Sequence, residues 1–295
     1  MSRARDPSPD RRRIVVVGDL MVDVVAALPG ELARGSDTPA PISHHHGGSA
    51  ANVAAWLVEA GADVAFVGRA GADSFGDAAV AALDGCDARV ARDPLRPTGT
   101  CIVLVHPGGE RTMVPDPGAN DALALDDLPA GGHLHLTGYG LLREGSRAAM
   151  LRALELARER GMAISVDPSS AAPLRTAGAA TFLGWAAGAD LLLPNADEAR
   201  ELTGEEDPER AARALATRGA EVVVTLGAGG ALWTDGAHVV RAPAAAAGVV
   251  DTTGAGDAFA AGLLAARARG EGPAEALAAG CALAGRAVGR PGARP

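Results

Sequence analysis

The 295-residue chain contains no lysine; all 27 of its Lys+Arg positions are arginine. That absence excludes a Walker A loop, the strand lysine of protein kinases and any Schiff-base enzyme, each of which needs a primary amine. Cysteine is scarce too. Cys86, Cys101 and Cys281 are odd in number and far apart, so neither a disulfide framework nor a zinc site is expected, and a reducing cytoplasm fits. Aromatic residues make up 3% of the chain, which leaves few stacking surfaces for a base. With 27 basic against 36 acidic residues the net charge is −9, which argues against a nucleic-acid partner held through its phosphates. No apolar run is long enough for a membrane partner. The arginine-rich start, Arg3 to Arg13, leads only into Ile14–Val17 before Gly18 and Asp19, so neither a signal peptide nor a span is expected.

What is present is apolar mass. Hydrophobic residues reach 48%, enough to fill the core of one large domain over residues 14–295, with residues 1–13 expected to be disordered. Short apolar runs alternate with longer helical stretches. Ile14–Gly18, Val64–Val67, His133–Leu136, Ala163–Val166, Leu191–Leu193 and Val222–Leu226 read as strands, with a further short one near Arg89. Ser49–Ala60, Ser74–Leu83, Glu144–Arg160, Ala196–Leu202, Glu209–Thr217 and Ala255 to about Ala268 read as helices. Such alternation predicts a parallel sheet covered on both faces, with ligands at the C-terminal ends of its strands. Two stretches break the rhythm: Met21–Ser43 has no helix pattern, and Thr98–Pro115 alternates around Pro107-Gly108-Gly109 as a β-hairpin does. They are either surface loops or a small sheet projecting from the main one.

The most informative segment is Asp251-Thr252-Thr253-Gly254-Ala255-Gly256-Asp257-Ala258-Phe259. A Gly-Ala-Gly turn at the mouth of an apolar helix lets an anion approach helix amides that lack internal partners. Asp257 in the same turn would repel that anion unless it had a task there. A carboxylate beside an anion hole is the pair needed to deprotonate a hydroxyl while a phosphoryl group is held in line. The plainer alternative makes Asp257 a complement to the helix dipole and the glycines a tight turn. A second segment, Gly47-Gly48-Ser49-Ala50-Ala51-Asn52, opens an earlier helix. There, paired glycines admit close approach and Asn52 offers a donor and an acceptor to a hydroxyl.

Together these two segments, in this order and some 200 residues apart, resemble the two signature motifs of the ribokinase-like (PfkB-type) carbohydrate kinases. The resemblance spans roughly Ile14 to Ala293. It implies a three-layer α/β/α fold with a mostly parallel central sheet, and a small β lid built from about residues 21–46 and 98–115. It implies ATP-dependent phosphorylation of a hydroxymethyl group on a small sugar or sugar acid, with Mg²⁺ and in many relatives K⁺. Asp257 would be the base, and Gly254, Ala255 and Gly256 the anion hole. Asp23, just past the first strand, matches the sugar-gripping carboxylate, for which Asp19 competes. Gly47, Gly48, Asn52, Asn120 and Asp167 fall where relatives line the pocket.

Asn195 and Glu198 resemble the family's Asn-x-x-Glu element, with Glu198 placing Mg²⁺ through water; an ordinary helix cap explains the same letters. Thr225, Gly227 and Gly230 would flank the nucleotide. Asp251 and Thr253, with the loop 287–293, match a monovalent-cation site. A homodimer through the lid is the assembly the resemblance allows. His44-His45-His46 suits a lid strand with a polar side better than a metal site, because neighbours on a strand face opposite ways. Ser49-Ala50-Ala51-Asn52 stands where ribokinases proper have Lys and Gly-Ala-Asn, which favours fructokinase- or ketodeoxygluconate-kinase-like substrates over ribose. A nucleoside kinase and a regulator that has lost catalysis are the two alternatives.

Overall fold

The computed structural model describes residues 12–108, 110–246 and 248–295. In chain order the first elements are strands β1 (Ile14–Val17), β2 (Met21–Ala27) and β3 (Ile42–Gly47), helix α1 (Ser49–Glu59), β4 (Val64–Gly71), α2 (Ser74–Ala81) and β5 (Asp87–Asp93). A hairpin follows, β6 (Gly99–Val105) and β7 (Arg111–Asp116), then β8 (His133–Thr137), α3 (Gly138–Leu142), α4 (Glu144–Glu159) and β9 (Ala163–Asp167). Next come α5 (Ala171–Ala177), α6 (Ala179–Trp185), β10 (Leu191–Leu192), α7 (Ala196–Thr203), α8 (Pro208–Ala216) and β11 (Glu221–Thr225). The chain closes with β12 (Ala231–Thr234), β13 (Val239–Ala242), α9 (Ala255–Ala268) and α10 (Pro273–Val288).

Nine strands form the main sheet in the order β13-β12-β11-β10-β9-β8-β1-β4-β5. All its pairings are parallel except those of β12 and β13. Because helices cover both faces, β1 needs no polar side: Ile14, Val15, Val16 and Val17 are all fully buried. Alternate residues enter opposite cores. Ile14 and Val16 pack with residues of α1, α9 and α10, while Val15 and Val17 pack with α4, α6, α7 and α8. Each such side chain stabilises the fold by roughly 1.5–3 kcal/mol. Ser165 Oγ lies 2.7 Å from His133 Nε2 and 2.8 Å from His135 Nδ1. Burial pulls these two imidazoles down to about 4 and about 3, so they are neutral near pH 7.

The second sheet, in the order β3-β2-β6-β7, is formed by the two stretches that lack a helix pattern. His106 N donates to the Glu110 carbonyl at 2.8 Å to close the β6–β7 hairpin; Gly109 of the expected turn lies outside the described residues. One face of this sheet carries Asp23, Cys101, Arg111, Met113 and Pro115 towards a cavity. The opposite face exposes Ile42, Ile102 and Val114. The expected disorder over 1–13 needs a correction at its end, and residues 1–11 lie outside the described residues. Arg13 is held: its guanidinium pairs with Asp63 at 3.1 Å and Asp87 at 3.3 Å, and its carbonyl accepts from Gly132 N.

Candidate active site

The parallel strands β1, β8, β9 and β11 all end at one edge of the main sheet, and their following loops turn towards the smaller sheet. A cavity of about 510 Å³ lies there, walled by Asp19, Asp23, Asn52, Tyr139, Asp167 and Asp257 among others. A second cavity of about 570 Å³ adjoins it, lined mainly by small and apolar residues such as Ala245, Val249, Cys281, Ala284 and Val288. Both touch Thr225, Thr252, Ala255, Gly256 and Phe259, so the two spaces meet at the first turn of α9.

Gly254 begins that turn in the left-handed region, φ 73°. A Cβ there would come within 2.5 Å of the Ala293 carbonyl oxygen, so only glycine fits. No side chain caps α9. Ala258 N returns to the Gly254 carbonyl at 2.9 Å, while among the described residues the amides of Gly256 and Asp257 have no acceptor. Two open donors at the positive end of a 14-residue helix therefore sit at the junction of the cavities.

Asp257 stands in the same turn. Ser49 Oγ donates to its Oδ1 at 2.7 Å and Asn52 Nδ2 to its Oδ2 at 2.9 Å. The two sequence motifs thus meet directly, across a separation of 205 residues. Burial raises the Asp257 pKa to about 7 against the pull of those two hydrogen bonds, and the charges of Asp167 and Asp19 add to the rise. A carboxyl group poised near neutrality suits proton transfer.

The two carboxylates that compete near β1 do different things. Asp19 accepts from Ser49 N at 3.2 Å, Ala50 N at 3.1 Å and Thr137 Oγ1 at 3.3 Å. It caps α1 from outside, since the N-cap Gly48 has no side chain to do so. Asp23, on the inner face of β2, has no hydrogen-bond partner among the described residues, and burial raises its pKa to about 6. Gly47 makes room for it: a Cβ at Gly47 would lie 2.4 Å from Asp23 Oδ1.

Asn120 is a correction. Its amide accepts from Leu20 N at 3.0 Å and donates to the carbonyls of Leu20 at 3.0 Å and Pro117 at 2.9 Å. It therefore ties the corner between β1 and β2 to the loop after β7 and does not line either cavity. Asp251 and Thr253, expected at a monovalent-cation site, lie in a loop tied by hydrogen bonds. Arg111 Nη2 on β7 donates to Asp251 Oδ1 at 2.5 Å, Thr253 N to the same oxygen at 2.7 Å and Gly292 N to Oδ2 at 3.0 Å. The positive partner of Asp251 is thus a guanidinium from the smaller sheet.

Asn195 and Glu198 form a reciprocal capping box at the start of α7: Asn195 Oδ1 accepts from Glu198 N, and Glu198 Oε2 from Asn195 N, both at 2.9 Å. Glu198 also borders the first cavity beside Asp167. Burial pushes Glu198 up to about 7. Asp167 is raised as well, by burial and then by the charge of Glu198. Thr225 borders both cavities, while Gly227 and Gly230, in the turn that joins β11 to β12, border only the second. Among the described residues no cluster of three or more His, Cys, Asp or Glu forms a ready metal cage.

Some of the residues at the site carry no motif. Arg111 and Arg143 border the first cavity, and Arg294 reaches Asn52; among 27 arginines, none of these stands out in the sequence. Ser49, inside the second segment, holds Asp257, a role its letter alone does not announce. Tyr139 could have been singled out, being the chain's one tyrosine; the Arg143 guanidinium lies 5.6 Å from its ring centre.

With this geometry in hand, the chain matches the family described as "pfkB family carbohydrate kinase" over residues 11–295. Fructokinase from Escherichia coli is 32% identical over 265 residues, covering 85% of this chain and 83% of that protein. 2-Dehydro-3-deoxygluconokinase from Thermoproteus tenax is 30% identical over 304 residues, covering 98% and 92%. Among solved structures, adenosine kinase from Sinorhizobium meliloti superposes with a TM-score of 0.87 at 26% identity, covering 97% of this chain and 96% of that one.

Proposed function

Because the chain belongs to the pfkB family of carbohydrate kinases, we propose that it transfers the γ-phosphoryl group of ATP to a hydroxymethyl oxygen of a small sugar or sugar acid. The observation that carries this reading is the meeting of two cavities at the open amides of Gly256 and Asp257, with the Asp257 carboxyl beside them. The second cavity, small-walled and largely apolar, suits the nucleoside end of ATP. The first, ringed by Asp23, Asn52 and Asp257, suits a polyol. The smaller sheet acts as its lid, excluding water as a rival acceptor. Asp257 takes the hydroxyl proton as the new O–P bond forms and the bond to the ADP oxygen breaks. The two amides hold the charge that grows on the transferring group.

Glu198 and Asp167 fit a magnesium ion held through water, because both are carboxyls raised by burial, Asp167 further by the charge of Glu198 and Glu198 by that of Asp197. Bound there, the ion would supply charge neutralisation to the phosphates. A potassium ion fits less well, since Arg111 already balances Asp251. Turnover is accordingly expected to be the same in potassium and in sodium at fixed ionic strength. A several-fold rise in potassium would restore the ion to this loop. Three free thiols, Cys86, Cys101 and Cys281, suit a cytoplasmic enzyme.

The relatives that act on fructose and on 2-dehydro-3-deoxygluconate support a furanose or an open-chain sugar acid as acceptor. A nucleoside is the second reading, supported by the likeness to adenosine kinase and by the Tyr139 ring in the acceptor cavity. ADP release measured over a panel of sugars, sugar acids and nucleosides tests both. We expect the highest kcat/KM for a sugar or sugar acid, and Asp23→Ala should raise its KM about tenfold or more, the loss of a charged hydrogen-bonding group, while KM for ATP stays unchanged. A nucleoside that outperforms every free sugar would overturn the choice of acceptor.

A further inference from the structure

Residues 292–294 run as a strap from the Asp251 loop to the start of α1. Gly292 N donates to Asp251, Trp56 Nε1 donates to the Ala293 carbonyl at 2.8 Å, and Arg294 turns its guanidinium inward. Arg294 Nε donates to Asn52 Oδ1 at 3.0 Å, and Nη2 donates to the Gly47 carbonyl at 2.8 Å. The third nitrogen, Nη1, is sealed from solvent and has no hydrogen-bond partner among the described residues. A guanidinium placed this way needs nearby negative charge to remain favourable. Asp23, Asp257 and Asp19 supply it: burial draws the Arg294 pKa down to about 10 against the opposing pull of these three carboxylates.

The contact with Asn52 has a directional consequence. A guanidinium can only donate, so it must face the amide oxygen. That leaves the Asn52 nitrogen for Asp257 Oδ2, where it is found. A flipped amide would set nitrogen against guanidinium and oxygen against carboxylate, and both hydrogen bonds would be lost.

The charges around Asp257 are lopsided. Asp19 from the end of β1, Asp167 from the end of β9 and Asp23 on β2 are acidic. Tyr139 on α3 is kept protonated by burial and by Asp19 and Asp257. Arg111 on β7 is paired with Asp251. Arg294 is the cation of this group that is shared among several carboxylates and not tied to one.

We propose that Arg294 is a positioning residue for phosphoryl transfer: it fixes the Asn52 amide against Asp257 and supplies the counter-charge that lets Asp257 ionise among acidic neighbours. The proposal rests on Asp257 as the base of the reaction. It goes beyond that reading by assigning a role to a strap residue outside both signature motifs.

The test is the pH profile of kcat/KM for the best acceptor, for the wild type, Arg294→Met, Arg294→Lys and Asp257→Asn. In Arg294→Met the acid limb is expected to move up by about one pH unit, as for a carboxyl that loses a nearby cation, with KM for ATP unchanged. Arg294→Lys restores the charge and should bring the limb back. An acid limb unmoved in Arg294→Met, with a loss of rate equal at every pH, would make Arg294 merely structural and overturn the proposal. If Arg294→Met does not fold, Arg294→Gln, which keeps donors without charge, should show the same shift, and its absence is equally decisive. Asp257→Asn separates the two ideas: retained turnover there removes the base assignment and this proposal with it. An inactive Asp257→Asn beside an unmoved Arg294→Met limb removes only the proposal.

Discussion

Asp257→Asn should lower kcat by about two to four orders of magnitude, the usual range for removing a positioned general base, while ATP still binds. The asparagine can keep the hydrogen bond from Ser49 or the one from Asn52, but it cannot take a proton. The same substitution should make the protein more stable above neutral pH. The pKa of Asp257 is raised to about 7 in the folded protein from its ordinary 3.8. Relative to a neutral residue, the carboxyl is therefore harmless below pH 4. It then weakens the fold progressively as pH rises to about 7, by up to roughly 1.4 kcal/mol per unit before allowance for solvent screening. Thermal melts at pH 5 and pH 8, run with turnover assays, check both halves. Near-native turnover in Asp257→Asn would return this residue to a dipole complement.

Gly256→Ala should separate folding from activity even more sharply. No atom lies within 4 Å of a Cβ built at Gly256, and its φ is not among the positive ones. The methyl group is accommodated, and in a helix alanine is favoured over glycine by roughly 0.5–1 kcal/mol. Yet that empty space is the junction of the two cavities, beside the amides that would meet the phosphoryl oxygens. Turnover is expected to fall by about two orders of magnitude or more, comparable to the loss of an oxyanion donor, with an unchanged or slightly raised Tm. Gly254→Ala makes the contrast: its positive φ and the Ala293 carbonyl forbid the side chain, so stability and activity should fall together. A Gly256→Ala enzyme with normal rates would place the phosphoryl path elsewhere.

Much of the fold was legible because each layer leaves a different period. The buried run Ile14–Val17 and the capped helices α1, α4 and α7 lie within a residue or two of their expected bounds. β4 outruns its apolar segment: Gly68 looks like a stop, whereas pairing with β5 continues to Gly71. α10 gave no period at all. It is rich in alanine and glycine, and it packs so closely on α9 that a Cβ on Gly262 would lie 2.6 Å from the Ala279 carbonyl. β12 and β13, four residues each and antiparallel, fell below what alternation can signal. Within the site, the carboxylates and glycines of the motifs were visible because their types are unusual at such spacing. What sequence could not tell is what each polar group bonds to. Asn120 and Asp19 look like ligand-binding residues until their backbone partners are known, and Arg294 looks like one arginine of many.

The shared wall between the cavities also bears on how such an enzyme can change over time. The cavity proposed for the acceptor draws Asp23, Cys101, Met113 and Pro115 from the inner face of the smaller sheet. The cavity proposed for the nucleotide draws Cys281, Ala284, Gly285 and Val288 from α10. The two sets lie on different elements, and the cavities share only Thr225, Thr252 and the start of α9. Substitutions on β2, β6 and β7, Arg111 apart because it is tied to Asp251, can therefore retune which alcohol is accepted without disturbing the nucleotide or the phosphate cradle. A scaffold divided this way can be diversified one side at a time, by natural drift or in a laboratory library confined to three short strands.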